Sequence, residues 1–241
     1  MSEYKFGRLP WSYDRRDLRM VRYTSSALAA PVMTNYRSKV APAIGMMGND
    51  RLGDCTCAAI GHAVQVWSGN TGKEITIPDS AIISAYNVVS GGVDRGANMR
   101  TALDYARNKG IGGHRIQAYA ACEHRDLTEI EQSIYLFEGC YVGVSLPANG
   151  TDLHSWSDPN PTLPPDPYKG HAIWAIDYDR AKQLVYFATW GQIAAASYNW
   201  VRRYTEECWA VLSPDLFGAK VKSPAGFDLQ TLAKDLKALA A

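Results

Sequence analysis

The residue with the strongest chemical context is Cys55. It sits in Asn49-Asp50-Arg51-Leu52-Gly53-Asp54-Cys55-Thr56-Cys57-Ala58-Ala59, where a turn gives way to a run of small and apolar residues. At a helix N-terminus the unpaired backbone N–H groups and the helix dipole favour a thiolate, and the same N–H groups can donate to an oxyanion. Gly53 leaves room for a substrate backbone to approach the sulfur. Asp54 acts in the opposite sense, because a neighbouring carboxylate disfavours a second negative charge. The chemistry this suits is nucleophilic attack on a carbonyl carbon, and the competing fate is a buried packing thiol.

A nucleophile of this kind needs a base. Of the five histidines, His171 has the best setting, in Gly170-His171-Ala172-Ile173-Trp174. It follows a long loop and opens a strand, where a rigid scaffold can present a catalytic side chain. His62 lies two helical turns beyond Cys55, too far to take its proton directly. His114, His124 and His154 lie in polar or loop contexts and read as surface residues. Cys57 points away from Cys55 on a helix and reads as a core residue.

The elements that must position these residues follow from periodicity and punctuation. Helices are expected over Cys55 to about Trp67, from Asp79 (as N-cap) to Val89, over Met99 to Asn108, and over Leu127 to Phe137 with Asp126 or Thr128 as cap. Strands are expected at Tyr141–Leu146, Ala172–Ile176, Leu184–Ala188 and Glu207–Leu212. Helices first and strands later predict an α+β fold of two lobes. Residues 1–45 read as an extended N-terminal arm, a solvated strap over the domain. The main domain spans 46–222, with a helical lobe over about 46–138 and a strand-rich lobe over about 139–222. A linker at Ser223-Pro224-Ala225-Gly226 precedes a short amphipathic helix, Asp228–Ala241, carrying Leu229, Leu232, Leu236 and Leu239.

Composition narrows the classes. The 241 residues are 46% hydrophobic and 20% charged, with a formal net charge of +1, which excludes wholesale disorder and gives no footprint for nucleic acid. No apolar run reaches the ~18 residues of a membrane span. The five cysteines form an odd set in a chain large enough to need no disulfide framework. No secretory signal is visible at the N-terminus. These features point to a soluble protein with reduced thiols in the cytoplasm. No metal-ligand or nucleotide-binding motif occurs, so no cofactor is expected. Trp156 and Tyr168, in the proline-rich loop, are candidates for a groove or an assembly contact.

In this order the motifs resemble those of the papain-like (C1-type) cysteine peptidases, particularly bacterial and phage relatives without a secretory prosegment. Leu52-Gly53-Asp54-Cys55 is similar to the family's Gly-Ser-Cys nucleophile turn, and Asn49 stands where the family carries its oxyanion-hole glutamine. Gly96-Ala97 falls where the family pairs a substrate backbone, and Met99 falls near the wall of its main specificity pocket. Gly170-His171-Ala172-Ile173 resembles the catalytic His-Ala-Val strand, and Thr189-Trp190-Gly191 the tail of an Asn-Ser-Trp-Gly motif. The resemblance covers roughly residues 40–212. It implies a helical lobe and an antiparallel sheet or barrel lobe, with Cys55, His171 and Asn49 catalytic. Gly53, Gly96, Ala97, Met99, Gly170 and Trp190 would line the substrate cleft. The family's orienting asparagine falls on Ala188. Thr189, at the serine position, is expected to point elsewhere, and Thr56 replaces a family tryptophan.

The leading expectation is a cysteine hydrolase acting on peptide or amide bonds of a peptide or protein substrate. The alternative is a catalytically degenerate papain-like fold serving as a structural or binding protein in a homo- or hetero-assembly, such as a phage virion component. An acyltransferase or amidase on the same scaffold would use the same residues. Neither nucleic acid nor membrane is an expected partner.

Overall fold

The computed structural model describes residues 4–12, 14–25, 29–214, 231 and 234. Five α-helices and six strands follow one another as α1 (Cys55–Asn70), α2 (Asp79–Val89), α3 (Met99–Asn108), β1 (Ala118–Cys122), α4 (Leu127–Phe137), β2 (Cys140–Ser145), β3 (Gly170–Asp179), β4 (Leu184–Thr189), β5 (Gln192–Ser197), α5 (Tyr198–Tyr204) and β6 (Thr205–Leu212). The first three helices make one lobe. The strands form a single antiparallel sheet in the order β1-β6-β2-β3-β4-β5, which makes the second lobe. The expected α+β, two-lobed arrangement is therefore present. Among the described residues no helix is long and apolar enough to cross a membrane.

Helix α1 is the axis of the molecule. Every residue from Cys55 to Gly69 is buried, as expected of a helix enclosed on all sides. It packs on β3 across the lobe boundary and on α2 and α3 within its own lobe. Gly61 permits this, because a Cβ there would lie 2.4 Å from the Met47 sulfur and 2.8 Å from Ile82. At the far end, Trp67 meets Trp174 of β3 edge to face at 5.3 Å and donates its indole N–H to the Phe137 carbonyl at 2.7 Å. This buried aromatic contact locks the helix that carries Cys55 to the strand that carries His171.

The four expected helices occur close to the expected bounds. Two details differ. Pro78, not Asp79, is the N-cap of α2, and it makes no side-chain cap bond. The cap of α4 is Asp126, whose side chain accepts from the Thr128 N–H at 2.8 Å. Three elements were not anticipated: β1, β5 and α5. Strand β1 joins the sheet by pairing with β6, although it precedes α4 in sequence. The C-terminal helix expected over Asp228–Ala241 falls outside the described residues, apart from residues 231 and 234.

The first 45 residues do not simply strap the surface. Residues 4–9 pass between the lobes. Arg19 forms an isolated parallel bridge with Ala121 of β1, and Met33 bridges Asp179 of β3. Asp177, fully buried on β3, accepts the Tyr36 N–H at 2.7 Å, the Arg37 N–H at 3.0 Å and the Arg37 guanidinium at 3.2 Å. Trp156 is also a correction. It lines no groove but is buried, stacked on Trp200 at 4.4 Å. Tyr168 remains 92% exposed.

Candidate active-site cleft

Cys55 is the first residue of α1, and its sulfur lies against the start of β3, where the Ala172 N–H donates to it at 3.4 Å. His171 is the next residue back along that strand. The helix N-terminus and the histidine strand thus converge, as the family resemblance implies. Both side chains are almost fully buried. The two are not hydrogen-bonded to each other, and His171 Nδ1 has no hydrogen-bond partner.

His171 is held from two sides. Its Nε2 lies 2.7 Å from Thr189 Oγ1, and its ring stacks on Trp190 at 4.0 Å with 16° between the planes. This corrects the expectation that Thr189 points elsewhere. Thr189 is the last residue of β4, and its pair, Gln192, begins β5. Trp190 and Gly191 between them both have positive φ, 45° and 75°. That is the two-residue hairpin turn whose twist matches the strands, and it needs left-handed backbone at both positions. The turn carries Trp190 over the imidazole. Ala188 offers no polar group, so the contact to Nε2 comes from Thr189.

Burial sets the charge state of the pair. It pushes the Cys55 thiol up to about 12, against the opposing pull of the Ala172 and Gly7 N–H groups. It drives His171 well below its ordinary value, assisted by His62 and Arg8 nearby. Thiol and imidazole are therefore both neutral at rest. Asp54 is fully buried with neither carboxylate oxygen hydrogen-bonded. Burial pushes it up to about 8, so it too is neutral at pH 7. The Asn49 amide beside it opposes that rise and donates to the carbonyls of Leu52 at 3.0 Å and Lys5 at 3.3 Å.

What encloses the pair is the chain's own N-terminal arm. Lys5 N–H donates to the Asn49 carbonyl at 3.2 Å. The N–H groups of Gly7 and Arg8 both donate to the Gly170 carbonyl, at 3.1 and 3.0 Å. On the opposite side the Ala97 N–H donates to the Gly7 carbonyl at 2.7 Å, and the Leu9 N–H donates to the Ala97 carbonyl at 3.0 Å. These last two bonds make a parallel bridge between Arg8 and Ala97. The fit is close. A Cβ on Gly7 would lie 1.8 Å from the Gly53 carbonyl oxygen, and one on Gly170 would lie 2.1 Å from the Arg8 carbonyl oxygen. Tyr4 stacks on Trp190 at 4.4 Å, and Phe6 meets Trp190 edge to face at 5.9 Å.

Gly53, Gly96, Ala97, Gly170 and Trp190, singled out from sequence as cleft-lining positions, thus all lie along the path of residues 4–9. Met99 lies beside the Arg8 side chain, near Gly143. Sequence reasoning missed the arm itself and the Thr189 contact. Of the other thiols, Cys57 is buried within α1. Cys122, Cys140 and Cys208 lie within 4.8 Å of one another in the sheet core. There they donate to the Met20 sulfur, the Trp209 carbonyl and the Cys122 carbonyl, each at 3.6 Å. His62 is buried too and has Nε2 2.7 Å from the Gly45 carbonyl.

Cys55 on the central helix and His171 on the antiparallel sheet lie where the two lobes meet. Xylellain, a cysteine protease from Xylella fastidiosa, superposes with a TM-score of 0.65 at 16% identity, over 88% of this chain and 98% of that one. The chain has the papain-like fold. A procathepsin B S9 from Trypanosoma congolense matches with a TM-score of 0.60 at 13% identity, over 86% of each chain. The Carica candamarcensis cysteine protease CMS1MS2 matches at 0.55 and 16%, over 76% of this chain and 98% of that one. At these identities the likeness is one of fold. No protein-family model matches the sequence, and no curated protein does.

Proposed function

We propose that this chain is a cysteine hydrolase of peptide or amide bonds, held latent by its own residues 4–9. The observation that carries the reading is the seat of the arm. An extended peptide crosses the Cys55 sulfur, bonded to the helical lobe through Ala97 and to the sheet lobe through Gly170. A cleft that holds one peptide backbone in this way can hold another.

In this reading the arm's departure admits water and lowers the desolvation cost of charge on Cys55 and His171. With Nε2–H donating to Thr189, Nδ1 is the basic nitrogen. It accepts the Cys55 proton, and the thiolate attacks the substrate carbonyl carbon. The N–H groups at the start of α1 and the Asn49 amide, freed from the Lys5 carbonyl, stabilise the oxyanion. The imidazolium returns its proton to the leaving amine. Water, losing a proton to Nδ1, then cleaves the thioester and restores the thiol.

A second reading has its own observation. The unbonded, neutral Cys55–His171 pair suits a degenerate cleft that binds peptides without cutting them, as in a structural or virion protein. One experiment separates the two. A full-length Gly7→Val/Arg8→Ala variant, designed to expel the arm, is incubated with a mixed peptide library and the products are read by mass spectrometry. Cleavage that disappears on adding Cys55→Ala supports the hydrolase. A folded variant that binds peptides and leaves them whole contradicts it and favours the binding protein.

A further inference from the structure

We propose that Cys122, Cys140 and Cys208, with the Met20 thioether, form a binding site for a soft metal ion, Cu(I). The site lies in the sheet core, uses neither Cys55 nor His171, and does not depend on how the cleft is read.

The sheet assembles the site from residues far apart in sequence. Cys122 of β1 is directly opposite Cys208 of β6. Cys208 also pairs with Val142 of β2, and Cys140, two residues before Val142, shares its face of the sheet. The three side chains therefore point to one side, and their sulfurs lie within 4.8 Å of one another. An ion about 2.3 Å from each of three sulfurs holds them about 4 Å apart, so shifts of about half an ångström suffice to close the ligand set. A fourth sulfur arrives from the N-terminal arm. Met20 is fully buried, with Sδ 3.6 Å from Cys122 Sγ. Main-chain contacts seat this part of the arm on β1: the Ala121 N–H donates to the Leu18 carbonyl at 2.7 Å, and Arg19 bridges Ala121. No local spacing in the sequence announces this set, because the register of three strands brings it together.

The chemistry of the cluster chooses the ion. Each thiol reaches its acceptor only at 3.6 Å. An S–H is a weak donor, so giving up these protons to a metal sacrifices little hydrogen bonding. Thiol and thioether sulfurs are soft ligands that suit Cu(I), whereas structural zinc sites are closed by cysteine and histidine. The four residues are at most 5% exposed. Such closed, apolar surroundings exclude the water and oxygen ligands that favour Cu(II). Burial also favours the least net charge. Cu(I) bonded to two thiolates, with the third thiol and the thioether neutral, leaves one negative charge. Two S–H bonds break and two S–Cu bonds replace them. Both protons pass to solvent, and the copper keeps its oxidation state. The ion enters beneath residues 18–20, whose lifting from β1 uncovers Cys122.

The test uses the full chain, reduced and kept free of oxygen, with Cys55→Ala/Cys57→Ala to remove the other two thiols. Cu(I) is supplied from a chromogenic chelator that competes for it. The protein should take up one Cu(I) per chain. Adding Cys140→Ala or Cys208→Ala should weaken uptake by at least about 100-fold, more than the loss of an outer-shell partner costs. Met20→Leu, which keeps the volume, should weaken it by about tenfold. Bound Cu(I) should raise Tm, and the rise should vanish with Cys140→Ala. Should the cysteine variants fold poorly, the wild type loaded with one equivalent is read by X-ray absorption at the copper edge. Three or four sulfur neighbours at about 2.3 Å are expected. Nitrogen or oxygen neighbours, no uptake against the chelator, or uptake unchanged by Cys140→Ala overturns the site. Unchanged uptake in Met20→Leu removes Met20 from the ligand set, and a larger rise in Tm with Zn(II) than with Cu(I) overturns the choice of ion.

Discussion

Asp54 shows how far one side chain can depart from its sequence reading. Beside Cys55 it looked like a negative charge opposing a thiolate, yet the carboxyl is buried, unbonded and pushed up to about 8. An ordinary aspartate in the unfolded chain titrates near ~3.9. Between those values the native state holds a proton that the unfolded state has released, so stability falls as pH rises from about 4 to 8. Asp54→Asn carries no such proton. Its denaturation midpoint should gain steadily on the wild type across that window, by on the order of a few kcal/mol in stability at pH 8. Parallel profiles from pH 5 to 8 would contradict this. Thr189 makes a second case. Thr189→Val removes the hydroxyl facing His171 Nε2. In the Gly7→Val/Arg8→Ala variant, under the proposed hydrolase reading, it should lower kcat by about 10- to 100-fold with a smaller change in KM, and Thr189→Ser should restore most of it. A change confined to KM would argue against an orienting role. Cys55 and His171 were singled out by local context: a turn before a helix, a loop before a strand. Thr189 and Arg8 were not, because their partners are fixed by a hairpin turn and by a contact from residue 8 to residue 144.

At the scale of elements, the parts with strong periodicity or clear punctuation were readable. The missed strands are alanine-rich: Ala118-Tyr119-Ala120-Ala121-Cys122 and Gln192-Ile193-Ala194-Ala195-Ala196-Ser197. Such segments have weak β-propensity and are strands because a neighbour pairs with them. Helix α5 has seven residues, too few to show a period. The arm was read as a solvated strap because its anchors are all long-range. Asp177 is one such anchor, gathering the Tyr36 and Arg37 backbone and the Arg37 side chain. Asp177→Ala should cost about 2–4 kcal/mol through loss of charge-assisted bonds. It should also make residues 29–40 a site of limited proteolysis. Unchanged stability and an unchanged digestion pattern would show that the strap is held elsewhere.

For the whole molecule, the two-lobed order of helices then strands was legible. What sequence left open was whether the cleft is free. Residues 4–9 fill it with hydrogen bonds to both lobes, and this single placement accounts for the buried sulfur, the neutral histidine and the engaged Asn49 amide. The central claim is that this arm conceals a competent nucleophile. The most direct test is the rate of Cys55 alkylation by iodoacetamide as a function of pH, in the wild type and in Gly7→Val/Arg8→Ala. Reaction should be slow in the wild type throughout. In the variant the rate near pH 7 should be at least about tenfold higher, rising through an apparent pKa below the ordinary thiol value of ~8.5. A folded variant whose Cys55 stays inert at pH 7, or a wild type that reacts as fast, would contradict it.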